Sequence, residues 1–424
     1  MPEMLYTPTS VLSAKWNLGI VLISFILLWN PLLVNGLTEP ASLDRRNALT
    51  AISSGAAGLA ISTLPGNAKA ANPGGNDQLP TFSAYNILPD SVNMDPKLQA
   101  VEPIKFLQSI ARKGGSVWLG EHHNSQKDHQ FQAELVQRLH QSRTKANVKA
   151  PMAIGLEQVQ RQFQPILDDY TSGKISLEEM KQGVEWEKRW MWDFENYRPI
   201  FEAAERLNIR LVALNVDSED LSEVEKGGYA RLPLNRLRKY IKDPVGFGEF
   251  AKSRQFNTYS SYVISPSYKI HQKLGLLSYT MNGEKLDDEM TFSRFLSGRI
   301  LWDEGMASAA STWCADNPGG LMLGLVGADH VKFANGIPAR FMRMTKDDDD
   351  MACTTVIINP TLIDSRPSGS VAGVPGAESV SADSITLQLR YLKDDVDPTN
   401  DELRKLPEST GGVLKFSDYI IVTA

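Results

Sequence analysis

The sequence predicts an α/β protein in which a mixed, largely parallel central sheet is flanked by helices, with a helical insertion and a C-terminal strand extension. Short apolar runs alternate with stretches whose apolar residues recur at helical spacing, a pattern that favours βαβ units. The 424 residues suffice for one large domain with insertions. A composition of 42% hydrophobic and 22% charged residues is typical of a globular chain and excludes collagen-like, coiled-coil and wholly disordered proteins.

Four apolar runs are predicted to be buried strands because they are short and end in glycine or polar residues. In chain order they are residues 116–119, 153–156, 209–216 and 321–326. Helical spacing of apolar residues predicts helices around 104–110, 131–139, 163–170, 197–207 and 292–300. Further strands are predicted over 354–358 and 413–422, and a capping box at Ser176 and Glu179 indicates a helix start.

The N-terminus carries two successive address patterns. Residues 16–34 lack charge and follow Lys15, which is typical of a secretory signal, with a membrane anchor as the alternative. Residues 37–70 contain Arg45-Arg46, a mild small-residue run and an Ala-Lys-Ala end, which together are typical of a twin-arginine export signal. Stacked signals of this kind predict a plastid protein of the thylakoid lumen, soluble after processing, with peripheral membrane attachment as an open option.

The remaining boundaries follow from composition. We predict a signal-peptide-like segment over 1–36, a transit and lumen-targeting segment over 37–70, a linker over 71–94, the α/β domain over 95–360 with its helical insertion at 218–290, a mobile loop over 361–383 and a C-terminal extension over 384–424. The net charge of −6 argues against a nucleic-acid partner. The two cysteines, Cys314 and Cys353, are too few for a disulfide scaffold, and free buried thiols are favoured over a bridge.

Two Gly-x-x-His motifs, at residues 120–123 and 327–330, follow predicted buried strands. A third strand ends at Glu157. Ligands of open parallel sheets bind outside the carboxyl ends of the strands. The side chains expected to converge there are Glu121, His123, Glu157 and His330.

Three kinds of chemistry are open to such a set. The four residues could hold a divalent metal such as Zn, Mn or Fe and activate a water. Without a metal, Glu121 or Glu157 could act as a general base beside a histidine. Alternatively, the same residues could be a hydrogen-bonded core without catalysis.

Residues 185–197 are rich in aromatic side chains, with Trp186, Trp190, Trp192 and Phe194 close together. Such clustering indicates either core packing or a cap over a crevice. Arg189 in this segment could bind a ligand carboxylate or propionate, the alternative being an ordinary ion pair.

The motif-bearing stretches resemble the ChaN-like proteins of the Tiki, TraB and erythromycin-esterase-like superfamily, which are described as haem-binding uptake proteins. They are VWLGEHHNSQKDHQFQAEL (117–135), AIGLEQVQRQFQPILDDYTSGKIS (153–176), residues 186–216 and LGLVGADHVKFANGIPARF (323–341). The resemblance implies a ChaN-like α/β fold whose pocket is formed by Glu121, His123, Glu157 and His330. It also implies either haem binding through a tyrosine or, as in Tiki-type relatives, a metal-dependent peptidase or esterase.

No motif places the haem-ligating tyrosine. Tyr197 and Tyr170 are candidates because they flank the tryptophan-rich segment, and Trp190 and Arg189 are the further candidates for a haem pocket. A plastid binder of haem or a related tetrapyrrole is the preferred hypothesis. A metal-dependent hydrolase and a non-catalytic structural or assembly protein are the alternatives, so enzymatic activity and a homodimeric state stay open.

Overall fold

A computed structural model describes residues 82–88, 97–273, 275–346, 351–360 and 416–423 of the chain. These residues form one eight-stranded sheet with the strand order β2-β1-β8-β7-β3-β6-β4-β5. The strands are β1 (Phe82–Leu88), β2 (Lys97–Val101), β3 (Gly114–Glu121), β4 (Met152–Gln160), β5 (Arg210–Asn215), β6 (Leu321–Gly327), β7 (Met351–Ile358) and β8 (Tyr419–Thr423).

Pairing within the sheet is parallel from β5 through β4, β6, β3 and β7 to β8, and antiparallel from β8 to β1 and from β1 to β2. Strands β4 and β6 are buried along their whole length, and β3 is buried after its first residue. Parallel strands that are covered on both faces are expected to be apolar throughout. The predicted fold class, a mixed and largely parallel sheet flanked by helices, is therefore confirmed.

Helices cover both faces of the sheet. They are α1 (Pro103–Ala111), α2 (Gln126–Lys145), α3 (Gln164–Thr171), α4 (Leu177–Gly183), α5 (Trp186–Arg189), α6 (Phe194–Leu207), α7 (Ser218–Gly227), α8 (Leu234–Leu237), α9 (Pro244–Phe250), α10 (Arg254–Tyr259), α11 (Ser265–Lys273), α12 (Phe292–Asp316), α13 (Ala328–Val331) and α14 (Ile337–Met344). The alternation of side chains along β3 shows the two layers. Val117 and Leu119 join the core formed with α1, α2 and α6, whereas Trp118 between them packs on Phe341 of α14.

Local signals explain several helix starts. Ser176 caps α4 and forms the predicted capping box with Glu179. The Ser125 side chain accepts a hydrogen bond from the Asp128 backbone at the start of α2. Because only residues 122–125 separate β3 from α2, this cap fixes the turn that contains His123.

The structure changes some of the predicted boundaries. The predicted linker over 71–94 is wrong for Phe82–Leu88, which form β1 and pair with β2 and β8. The last strand begins at Tyr419 instead of at 413, and residues 218–290 contain helices α7–α11. The proposed targeting segments, the loop over 361–383 and residues 384–415 of the extension lie outside the described residues. In the part of the chain that the structure covers, no helix has the length and apolarity to span a membrane, and both cysteines are free thiols.

Candidate functional site

Glu121, the last residue of β3, is a buried hub of hydrogen bonds. Burial opposes its ionisation, but the neighbouring imidazoles of His129 and His123 hold the pKa of Glu121 well below its ordinary value. An ionised carboxylate can accept from several donors at once. The donors are the Tyr197 hydroxyl at 2.9 Å, His123 Nδ1 at 2.9 Å and the Gln158 amide at 3.2 Å on Oε1, and the Gln132 amide at 2.7 Å on Oε2.

The orientation of the His123 ring is set by Glu121, because the carboxylate holds its Nδ1. The other ring nitrogen, Nε2, lies 3.9 Å from Oε1 of Glu157, beyond hydrogen-bond distance. The Trp190 ring stands edge-on to the imidazole at 5.0 Å, and the Trp192 ring is tilted over it at 6.1 Å. The imidazole of His123 therefore lies at the carboxyl edge of the sheet beside two indoles, with Nε2 on the side of Glu157.

Glu157 and His330 form the second half of the site. Glu157 Oε2 accepts the Gly327 backbone N–H at 2.6 Å, and Oε1 lies 3.3 Å from His330 Nε2. The opposite nitrogen of His330, Nδ1, lies 2.5 Å from Oδ1 of Asp303. Burial disfavours a charged imidazole, but Glu157 and Asp303 raise the pKa of His330 to about 10. The pKa of Glu157 is lowered by His330 and His123 in spite of burial. The chain Asp303–His330–Glu157 is therefore an imidazolium between two carboxylates.

Asp303 belongs to this site, and sequence reasoning missed it. It lies in the middle of α12, next to Glu304, and both carboxylates are fully buried. The guanidinium of Arg340, itself almost fully buried, lies 3.7 Å from Asp303 and 3.6 Å from Glu304. One sequence signal could have revealed Asp303: it is part of an acidic pair inside a helix whose other central residues are small or apolar. Such carboxylates are expected to be buried, and buried charges require charged partners.

The predicted metal ligands are brought together as a row, with Glu121 against His123, His123 against Glu157 and Glu157 against His330. Both oxygens of Glu121 already accept hydrogen bonds from buried donors. Among the described residues, no group of three or more His, Cys, Asp or Glu side chains is arranged to hold a metal ion. The four residues thus do not fit the four-ligand centre that the motifs suggested.

Neither candidate tyrosine offers a phenolate. Tyr197 is buried and donates its hydroxyl to Glu121, and burial raises its pKa well above the ordinary value. Tyr170 is also buried, donates to Glu205 at 3.3 Å and has a pKa raised by burial. Both hydroxyls therefore donate their protons to carboxylates in this structure.

The tryptophan-rich segment borders the site at one end and enters the core at the other. Trp186, Trp190 and Phe194 belong to the buried core and Trp192 packs against it, and the rings of Trp190 and Trp192 also lie beside His123. Arg189 is engaged in ion pairs with Glu185 at 2.8 Å and Glu219 at 2.5 Å, and it also donates to Ser218 and Gln160. Arg189 thus connects the tryptophan-rich segment to β4 and α7. These contacts match the ordinary ion pair that the sequence analysis gave as the alternative to ligand binding.

The fold and site define an α/β protein with a buried His/Glu centre at the carboxyl edge of a parallel sheet. A family model described as "Haem-binding uptake, Tiki superfamily, ChaN" matches residues 108–341. The match covers more than half of the chain, and the protein belongs to this family. No curated protein sequence matches the chain.

Several solved structures are similar at low identity. ChaN of Campylobacter jejuni, whose structure is described as showing cofacial haem binding, has a TM-score of 0.47 and 14% identity, covering 80% of this chain and 97% of its own. An erythromycin esterase mutant in an open conformation has a TM-score of 0.33 and 12% identity over 65% of this chain and 76% of its own. RRSP, a toxin effector domain of Vibrio vulnificus, has a TM-score of 0.30 and 14% identity over 59% and 35%. The family assignment depends on the family model and not on these likenesses.

Proposed function

We propose that the protein binds haem or a related tetrapyrrole at the carboxyl edge of the sheet, with Nε2 of His123 as the iron ligand. The observation that carries the proposal is the orientation of His123, whose Nδ1 is fixed by Glu121 while its imidazole ring lies beside two indole rings and its Nε2 forms no hydrogen bond with Glu157, 3.9 Å away. Membership in a family described as haem-binding supports it. The address patterns of residues 1–70 support the plastid as the compartment.

The surroundings of His123 fit this role on chemical grounds. Histidines that bind metals usually donate the other ring N–H to a carboxylate, which fixes the tautomer and raises the basicity of the ligating nitrogen. Glu121 occupies that position. A proximal histidine is a common protein ligand of haem iron, and aromatic side chains supply apolar surface for a macrocycle. Trp190 and Trp192 would provide that surface, and the bound haem would supply iron coordination and redox chemistry.

Titration of the full-length chain with haemin, followed by absorption, tests the proposal. We expect a saturable Soret band at a simple ratio and at least a roughly 100-fold loss of affinity in His123→Ala, because loss of a partner outside the ligand set alone costs about 10–100-fold. The matched control is His140→Ala. His140 lies on α2 about 16 Å beyond His129 and should not affect haemin binding.

Two outcomes would contradict this assignment. Equal affinity in His123→Ala and in the wild type would remove His123 as the ligand. If the Soret position changes in Tyr197→Phe and stays the same in His123→Ala, the iron ligand is Tyr197 and not His123.

A second candidate function is acid–base hydrolysis of an amide or ester, and the observation that favours it is the Asp303–His330–Glu157 chain. A protonated imidazole beside a carboxylate can donate to a leaving group while the carboxylate activates water. Screening of chromogenic esters and short peptides would then show turnover that falls roughly 100- to 10,000-fold in Glu157→Gln. Haemin affinity should survive that substitution if the ligand is His123, so the two functions separate in one variant. Turnover that is equal in the wild type and in Glu157→Gln would exclude the candidate.

A further inference from the structure

We propose that Phe416, which lies outside the residues that match the family model, positions the loop that carries His330. The inference rests on the proposed site at the carboxyl edge of the sheet, since His330 forms one wall of that site. The segment from His330 in the last turn of α13 to Gly336, the residue before α14, is referred to below as the His330 loop (residues 330–336).

The His330 loop has a strained backbone. Phe333 and Ala334 have φ angles of +62° and +54°. This is the left-handed region, which is sterically unfavourable for a residue with a Cβ. Gly336 lies so close to His330 that an added Cβ would be 2.3 Å from the His330 carbonyl oxygen. A loop with two successive residues in this region persists only where its surroundings hold it.

Phe416 supplies contacts that hold the loop. Its carbonyl oxygen accepts the Phe333 N–H at 2.7 Å, and its ring meets the Phe333 ring edge-on at 5.5 Å between centroids. Phe416 is fully buried. On the other side, Arg340 of α14 donates to the carbonyl oxygens of Asn335 and Gly336 at 3.2 and 2.8 Å. The strained segment is thus fixed from α14 and from the C-terminal segment at once.

The position of Phe416 is itself fixed by the sheet. Asp418 exchanges hydrogen bonds with Thr355 of β7, with its N–H donating to Thr355 Oγ1 and its carboxylate accepting the Thr355 N–H, both at 2.8 Å. Strand β8 follows directly and pairs with β7 on one side and β1 on the other. The contacts of Phe416 with Phe333 therefore fix the His330 loop relative to strands β7 and β8.

The consequence lies in the contacts of His330. Its Nδ1 is 2.5 Å from Asp303, its Nε2 is 3.3 Å from Glu157, and the Trp302 ring lies 5.4 Å away. Asp303 and Glu157 belong to α12 and β4, so a shift of the loop alone would separate His330 from both. Phe416 is accordingly a positioning residue that acts through the loop.

Proton NMR of the full-length chain provides a readout that packing alone would not change. A short imidazole–carboxylate hydrogen bond such as His330 Nδ1–Asp303 gives a far-downfield N–H resonance, which His330→Gln would assign by its absence. We expect Phe416→Ala to lose this resonance while the far-ultraviolet circular dichroism stays native, and Phe416→Leu to keep it. The matched control is Phe106→Ala, which removes an equally buried ring that contacts Tyr419 of β8 and should leave the resonance in place.

A second variant keeps the test decisive if Phe416→Ala does not fold. Phe333→Gly removes the same ring contact, and glycine adopts the observed φ without strain, so this chain should fold and still lose the resonance. Retention of the resonance in either folded variant overturns the proposal. Haemin titration of the same variants reports separately on the proposed function, because the resonance is observed without haemin.

Discussion

Replacing Glu121 with alanine is expected to lower the free energy of unfolding by about 3–5 kcal/mol. The substitution leaves the Tyr197 hydroxyl, the His123 imidazole and two glutamine amides without their shared acceptor inside the protein. Each buried donor without a partner costs about 1–3 kcal/mol, and partial relaxation keeps the total below the sum. Urea unfolding followed by tryptophan fluorescence measures the change.

Two variants calibrate this result. Glu121→Gln keeps one carbonyl oxygen for Oε1 donors but turns an amide N–H₂ toward Gln132, so about 1–3 kcal/mol should be lost. Glu202→Ala removes an exposed carboxylate 4.0 Å from Arg198 and should change stability by less than about 1 kcal/mol. A loss in Glu121→Ala no larger than that of Glu202→Ala would show that the hub does not stabilise the fold. The hub would then serve only to orient His123.

The convergence of the motif residues could be predicted because it depends on local patterns and one topological rule. Strands β3 and β6 are short apolar runs that end at Glu121 and Gly327, whereas β4 continues past the predicted end at Glu157 to Gln160. Once these strands are parallel neighbours, their carboxyl ends meet at one edge. The register pairs Glu121 of β3 with Gly327 of β6, and Leu156 of β4 with Leu325 of β6. At this edge His123 Nε2 lies 3.9 Å from Glu157 Oε1.

The partners of those residues could not be predicted, since they come from helices whose packing is a tertiary property. Asp303 reaches His330 from α12, and Tyr197 reaches Glu121 from α6. The sequence around Asp303 contains no motif that indicates contact with His330, and the sequence around Tyr197 contains none that indicates contact with Glu121. The same limit explains β1, because a mostly apolar seven-residue segment between Pro80 and Pro89 that follows a Pro/Gly/Asn-rich stretch reads as part of a linker. Only the pairing with β8 and β2 makes it a strand.

The stability of the protein is expected to fall as the pH rises from about 7 to 10, and His330 is expected to cause much of that fall. Glu157 and Asp303 raise the pKa of the folded-state imidazole to about 10, against 6.5 for an ordinary histidine. A raised pKa means that the folded state binds the proton more tightly than the unfolded state does. The contribution is therefore fully present below pH 6.5 and is lost as the pH rises through about 10, by about 3–5 kcal/mol in total.

His330→Gln isolates this contribution, because the other groups that titrate near pH 10 are common to both chains. Urea unfolding at a series of pH values should show a wild type that exceeds the variant by several kcal/mol near neutrality and by little above pH 10. Curves that stay parallel across this range would mean that His330 is neutral when folded. Asp303 and Glu157 would then lack their shared cation, and the acid–base candidate would lose its proton donor while haem ligation by His123 would be unaffected.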